Sequence, residues 1–183
     1  MSHISRRQIL AVSGGLLLLA AGPAFGQPAA AVPDTAEGLK QTITGIYEAS
    51  RAGDNAKAAA MIRSLMLPGH EAWFKRVFGD AKGAAVAGEY TRELAKFERS
   101  VGRLFVKVVA DGRSDVRVLR FDRAGMPQAT GLQNDAFAAM QNPQPLYSVR
   151  FIKPGEPRGT QVYSFVHADG GFRLVGRMSA VKE

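Results

Sequence analysis

"VAGEYTRELAKFERSVGRLFVKVVADGRSDVRVLRF", residues 86–121, decides the fold because its apolar spacing changes part-way along. In its first half, apolar residues recur every three or four positions, which is the period of a helix with one buried face. These residues are Val86, Tyr90, Leu94, Phe97 and Val101. After Gly102 the pattern favours strands, since residues 103–110 and 114–121 flank Asp111-Gly112, a dipeptide typical of a hairpin turn. We therefore predict one long helix through Val101 and a hairpin after it.

Three shorter helices are predicted upstream, each from a polar or proline start followed by an apolar stripe. Asp34 and Asp54 are placed to cap the first two helices, at about 39–50 and 55–66. Pro68 suits the first turn of the third helix, which Gly79 ends. The stripe of this third helix holds Trp73, Phe74, Val77 and Phe78.

The C-terminal half adds three more strand candidates, at residues 146–153, 160–167 and 171–178. They follow a loop with one short helix near 132–141. In the first of them, apolar side chains alternate with a more mixed set, as expected for a strand with one apolar face. Helices first and strands later predict an α+β fold, in which N-terminal helices pack on one face of a curved antiparallel sheet formed mainly by the C-terminal half.

Residues 1–26, "MSHISRRQILAVSGGLLLLAAGPAFG", have the three parts of an export signal: paired arginines, a short apolar stretch and small residues. "SRRQIL" at residues 5–10 is similar to the twin-arginine export motif, and the sequence leaves open whether that route or general secretion is used. The apolar stretch is shorter than the about 20 residues of a membrane span, so we predict no stable span after signal removal. A flexible linker at residues 27–37 and a single α+β domain at 38–183 complete a protein expected in the periplasm or secreted.

The charge and the cysteine content limit the kinds of partner and site that we expect for this protein. The formal charge is +8, and the absence of cysteine excludes disulfides and thiolate metal sites. Residues 101–183 hold 12 basic and 7 acidic side chains, which suits weak contact with an anionic envelope surface, although charge that only keeps the protein soluble explains the same excess. Nucleic acid is not an expected partner, because no recognisable binding motif is present.

The sequence lacks a set of residues with the spacing of a catalytic or metal site. His70 and Glu71 are adjacent on a predicted helix and point about 100° apart, so they do not form an acid–base pair. His167 and Asp169 lie at a hairpin turn without a further metal ligand at a recognisable interval. The nucleophile elbow of serine hydrolases and the phosphate-binding loop are both missing. We predict no catalytic residue, no metal and no cofactor, so a non-catalytic function is favoured over an enzymatic one.

A binding site is predicted from aromatic and arginine side chains. The aromatic stripes either fill the core or line a cavity between helices and sheet, and these two interpretations are compatible. An arginine at the cavity mouth suits an anionic headgroup, although a charged, solvated edge strand explains the same arginines. The predicted ligand-binding residues are Trp73, Phe78, Tyr90, Phe97, Arg117 and Arg120.

The order of elements over roughly residues 37–180 resembles the nuclear-transport-factor-2-like and cystatin-like class. That resemblance implies a bent sheet that wraps helices and encloses an apolar cavity, as in periplasmic phospholipid-shuttling proteins, an analogy at fold level only. "EAWFKRVFGD" (71–80), "PLYSVRF" (145–151) and "FVHADGGFR" (165–173) also look like an uncharacterised group of small exported bacterial proteins, which implies no activity.

The functional prediction follows from this cavity. We expect an exported domain that binds an apolar, lipid-like or amphipathic small molecule between its helices and its sheet, without catalysis. Two alternatives stay open: a protein-interaction module of the cell envelope, and a small cavity enzyme.

Overall fold

The computed structural model describes residues 31–182 of the chain. The predicted export signal at residues 1–26 and the first linker residues, 27–30, lie outside this range. The elements in chain order are α1 (Ala36–Arg51), α2 (Asn55–Ser64), α3 (His70–Phe78), α4 (Asp80–Leu94), α5 (Phe97–Ala110), β1 (Asp115–Phe121), α6 (Gly131–Ala139), β2 (Leu146–Ile152), β3 (Gly159–Ala168), β4 (Gly171–Leu174) and a short 3-10 helix (Ser179–Lys182).

The four strands form an antiparallel sheet in the order β1-β2-β3-β4, in which each strand pairs with the next one along the chain. Val118 of β1 lies opposite Val149 of β2, and Phe165 of β3 lies opposite Leu174 of β4. The sheet is open rather than closed into a barrel. The predicted α+β class, with helices first and an antiparallel sheet in the C-terminal half, is confirmed.

Strand β2 is buried on both faces because its side chains alternate between two apolar clusters. Tyr147, Val149 and Phe151 pack with the N-terminal helices α1, α2 and α5. Leu146 has the opposite parity and belongs, together with Val166 of β3, to a second cluster with α3, α4 and α6. A strand covered on both sides is buried at nearly every position, and in β2 only Arg150 is less than fully buried.

Residues 103–110 belong to α5, so the strand predicted there is wrong. Phe105 and Val108 are buried at helical spacing, whereas Val106 is 65% exposed. The β-branched residues of this stretch favour a strand locally, and the packing of one helical face against α1 and α2 outweighs that preference. The predicted long helix is also divided: at Lys96 the backbone (φ −119°, ψ 3°) leaves the helical conformation and separates α4 from α5.

Three predicted ends of elements also differ from the structure. The cap of α1 is Thr35 rather than Asp34, because the Thr35 hydroxyl accepts a hydrogen bond from Gly38 N at 3.1 Å. Pro68 precedes α3 instead of lying in its first turn. The last strand stops at Leu174, before the predicted residue 178, because the backbone turns away at two left-handed residues that follow.

Residues 32–34 lie against the sheet before α1 begins, and we call them the N-terminal strap. The backbone amide of Val32 donates to the Gly170 carbonyl at 2.9 Å. The His167 Nε2 atom lies 2.7 Å from the Val32 carbonyl oxygen, to which it donates. Both contacts fix the strap to the hairpin that joins β3 to β4.

Candidate functional site

A cleft of about 540 Å³ lies between the α4–α5 junction and the chain segment that follows β4. This volume is in the range of small-molecule sites, which is about 300–1,000 Å³. The apolar side chains that line it are Val86, Tyr90, Phe97, Val101, Leu174, Val175 and Met178. The polar ones are Glu89, Glu93, Lys96, Ser100, Arg177 and Ser179.

The apolar side of the cleft is fixed by the break between α4 and α5. Tyr90 lies one turn before the break and Phe97 directly after it, so both rings border the same space. The Tyr90 hydroxyl accepts a hydrogen bond from Leu67 N at 2.8 Å. Burial raises the pKa of Tyr90, which keeps its ring neutral at physiological pH. Tyr90 and Phe97 are 4% and 7% exposed, so a small part of two uncharged rings borders the cleft.

The opposite wall is fastened to α4 by contacts that we call the C-terminal clip. The Glu89 carboxylate accepts hydrogen bonds from the Ser179 hydroxyl at 2.7 Å and from Ala180 N at 2.8 Å. Lys82 Nζ donates to the Val181 carbonyl at 2.8 Å. These bonds hold the 3-10 helix on α4 and so position the opposite wall of the cleft.

Charged side chains occupy the rim of the cleft. Glu93 and Lys96 form an ion pair at 3.0 Å in which both side chains are about half exposed, so the pair contributes little stability. Glu89 is engaged by the clip. Arg177 is exposed and makes no ion pair with any residue between 31 and 182.

Two of the six predicted binding residues, Tyr90 and Phe97, line the cleft. Trp73 and Phe78 are buried in the core formed by α3, α4 and α6, where Phe74 contacts both rings. They fill the interior rather than border the cleft.

The two predicted arginines lie on β1, away from the cleft lining. Arg117 is exposed and pairs with Asp115 at 2.9 Å. Arg120 Nη1 donates to the Tyr147 hydroxyl at 2.9 Å and to the Asp34 carbonyl at 2.8 Å. Arg120 therefore binds the N-terminal strap.

Tyr147 completes this contact of the strap with the sheet. Its hydroxyl donates to Asp34 Oδ1 at 2.7 Å, and its ring is fully buried. Burial, and then the neighbouring Asp34 carboxylate, raise the pKa of Tyr147 far above its ordinary value of about 10. The hydroxyl is thus a permanent donor to the strap at neutral pH.

Neither of the two histidines within residues 31–182 lines the cleft. His70 Nε2 lies 2.9 Å from Thr91 Oγ1, which itself donates to the Ala87 carbonyl, so the threonine accepts from the histidine. His70 is therefore hydrogen-bonded to Thr91, and the neighbouring Glu71 is exposed. Within residues 31–182, no group of three His, Cys, Asp or Glu side chains is placed to hold a metal ion. Over the same range, every helix is too short or too polar to cross a bilayer.

The wall at residues 174–179 was not predicted, because the pattern of residues 171–178 favours a strand. One signal was present: Gly176 interrupts the alternation, and a glycine inside a strand pattern often marks a break or bulge. The contact of this wall with α4 joins residues about ninety positions apart, a distance over which local spacing carries no information.

No protein family, curated protein or solved structure matches this chain. The resemblance to the nuclear-transport-factor-2-like and cystatin-like class therefore stays a prediction.

Proposed function

We propose that the protein binds an amphipathic small molecule in the cleft between the α4–α5 junction and residues 174–179. The observation that carries this proposal is the division of the cleft into an apolar lining and a charged rim. Burial of apolar ligand surface supplies about 25 cal/mol per Å², while the rim selects the polar end. Hydrogen bonds already hold both walls in place, which lowers the entropic cost of ordering them on binding.

The location of the protein is part of the same proposal. We place it outside the cytoplasm because residues 1–26 have the composition of an export signal. Cell fractionation of the full chain tests this, with Arg6→Lys and Arg7→Lys replaced together. Retention of the double variant in the cytoplasm supports twin-arginine export, and unchanged export favours general secretion. Cytoplasmic location of the unmodified protein would overturn the placement.

A neutral alkyl amphiphile tests the binding site without involving charge. We expect dodecyl maltoside, titrated below its micelle concentration and followed by calorimetry, to bind the unmodified protein with a saturable stoichiometry of one. Ser100→Trp places an indole in the cleft from a half-buried position on α5, and we expect it to reduce the affinity at least tenfold.

The matched control is Ser114→Trp, which adds the same side chain at an exposed site before β1. It should bind the probe as the unmodified protein does. Circular dichroism melts of both variants show whether the fold is retained. Absence of saturable binding, or equal affinity of the Ser100→Trp and Ser114→Trp proteins, would contradict the proposal.

A further inference from the structure

The charges on the rim of the cleft are not equally available to a ligand. Glu89 accepts two hydrogen bonds from the C-terminal clip, and Glu93 is paired with Lys96 at 3.0 Å. Arg177 is the charged rim residue whose side chain makes neither a hydrogen bond nor an ion pair within residues 31–182. The rim therefore carries acidic and basic groups, and Arg177 is the one whose donors are open to a ligand.

The backbone around Arg177 is held on both sides. Ser164 N donates to the Gly176 carbonyl at 2.8 Å, which ties the preceding residue to β3. Met178, the following residue, has a φ of 53° and a side chain that is 1% exposed in the core. These two contacts fix the backbone of Arg177 beside the cleft, while its exposed side chain stays free to turn toward a ligand at the cost of its rotamer entropy.

We infer that the ligand of the cleft carries an anionic headgroup, a carboxylate or a phosphate, that is bound by Arg177. This inference rests on the proposed function and specifies the polar end of the ligand. The planar guanidinium matches two oxygens of either anion, and Ser100 of α5, which also lines the cleft, offers a hydroxyl donor. The alkyl part of the ligand would then contact Tyr90 and Phe97.

Four probes that share one alkyl chain test the inference: dodecanoate, dodecyl phosphate, dodecyltrimethylammonium and dodecyl maltoside. At pH 7.5 we expect the two anions to bind more tightly than the cation and the neutral probe. Their affinity should fall as sodium chloride is raised, because salt screens an exposed charge, while the affinity for the maltoside stays constant. The ratio between the two anionic probes distinguishes a fatty-acid-like ligand from a phosphate-bearing one.

Arg177→Gln is the decisive variant, and Arg158→Gln, at an exposed arginine in the loop between β2 and β3, is its control. We expect Arg177→Gln to weaken both anions about tenfold or more and to leave the maltoside unchanged, since one charge-assisted contact is lost. Both variants should melt at the same temperature as the unmodified protein, because both side chains are exposed.

The outcomes separate the two proposals. Binding of the maltoside together with equal affinity of the Arg177→Gln and Arg158→Gln proteins for dodecanoate would overturn the headgroup inference alone. Tighter binding of the ammonium probe than of dodecanoate would overturn it as well. Failure of all four probes to bind the unmodified protein would overturn the proposed function itself.

Discussion

Replacement of Gly83 by alanine tests the close approach of α3 and α4. A Cβ atom on Gly83 of α4 would lie 2.6 Å from both Lys75 N and the Phe74 carbonyl oxygen, and it would also meet Lys75 Cα. Ordinary carbon contacts are about 3.5–4.0 Å, so α3 and α4 have to move apart. The obstructing atoms are backbone atoms, which cannot rotate away as a side chain would.

The expected cost follows from two opposing terms. Overpacking costs about 1–3 kcal/mol, and the backbone nature of this clash places it at the upper end. Alanine recovers about 0.5–1 kcal/mol of helix propensity relative to glycine. We therefore expect Gly83→Ala to lower the free energy of unfolding by about 2 kcal/mol.

Two other helical glycines supply matched controls. A Cβ atom on Gly102 of α5 would have no neighbour within 4 Å, and one on Gly88 of α4 would meet only the flexible end of Arg92 at 3.7 Å. Alanine at either position should stabilise the protein by about 0.5–1 kcal/mol. Equilibrium urea unfolding, followed by circular dichroism and Trp73 fluorescence, measures all three variants. If Gly83→Ala is as stable as Gly102→Ala, α3 and α4 do not cross at this distance.

Three further predictions concern the strap and α5. Tyr147→Phe removes the hydroxyl that donates to the Asp34 carboxylate and accepts from Arg120. We expect the free energy of unfolding, measured in urea, to fall by about 1–2 kcal/mol and proteolysis of the strap to become faster. Unchanged values of both would refute the contact. Because the pKa of Tyr147 is raised in the folded protein, its hydroxyl stabilises the fold below about pH 10, and this stability is lost as the pH rises further. Unfolding titrations at about half-unit steps from about pH 9 to about pH 11.5 test this. The free energy of unfolding should decline less in the Tyr147→Phe protein than in the unmodified one. In the same urea experiment, Phe105→Ala should lower the free energy of unfolding by about 3–5 kcal/mol, and Val106→Ala should lower it by less than about 0.5 kcal/mol. Similar losses for the two variants would place both side chains in the core.

The helical part of the fold was predictable wherever the apolar spacing had a single interpretation. The stripe from Trp73 to Phe78 predicted α3 correctly, and the glycine at 79 marked its end. The break at Lys96 was not predictable, because neither proline nor glycine accompanies it and the stripe continues through Phe97. At residues 103–110, the apolar residues fit the spacing of a strand as well as that of a helix. The tertiary contacts of Phe105 decide in favour of the helix.

The candidate site was predictable only on its helical side. The helical period of apolar residues predicted that Tyr90 and Phe97 face the interior. A side chain on that face also lines any cavity that the packing of the helices leaves open. Arg177 could not be found, since its place at the rim depends on left-handed conformations at the two residues beside it and on a clip to α4. The charge of Arg117 and Arg120 favours an anion-binding role in the sequence, whereas the structure pairs each of them with a neighbouring aspartate.

The buried pair of Gln133 and Ser148 has a consequence for how strictly the alignment of β2 is specified. Gln133 Nε2 donates to Ser148 Oγ at 3.1 Å, and both side chains are 1% exposed. A slip of β2 by one residue would place an apolar neighbour opposite the glutamine amide, leaving that amide desolvated and without an acceptor, and would exchange the side chains of the two clusters. The pair therefore destabilises misaligned folded states more than it stabilises the native state.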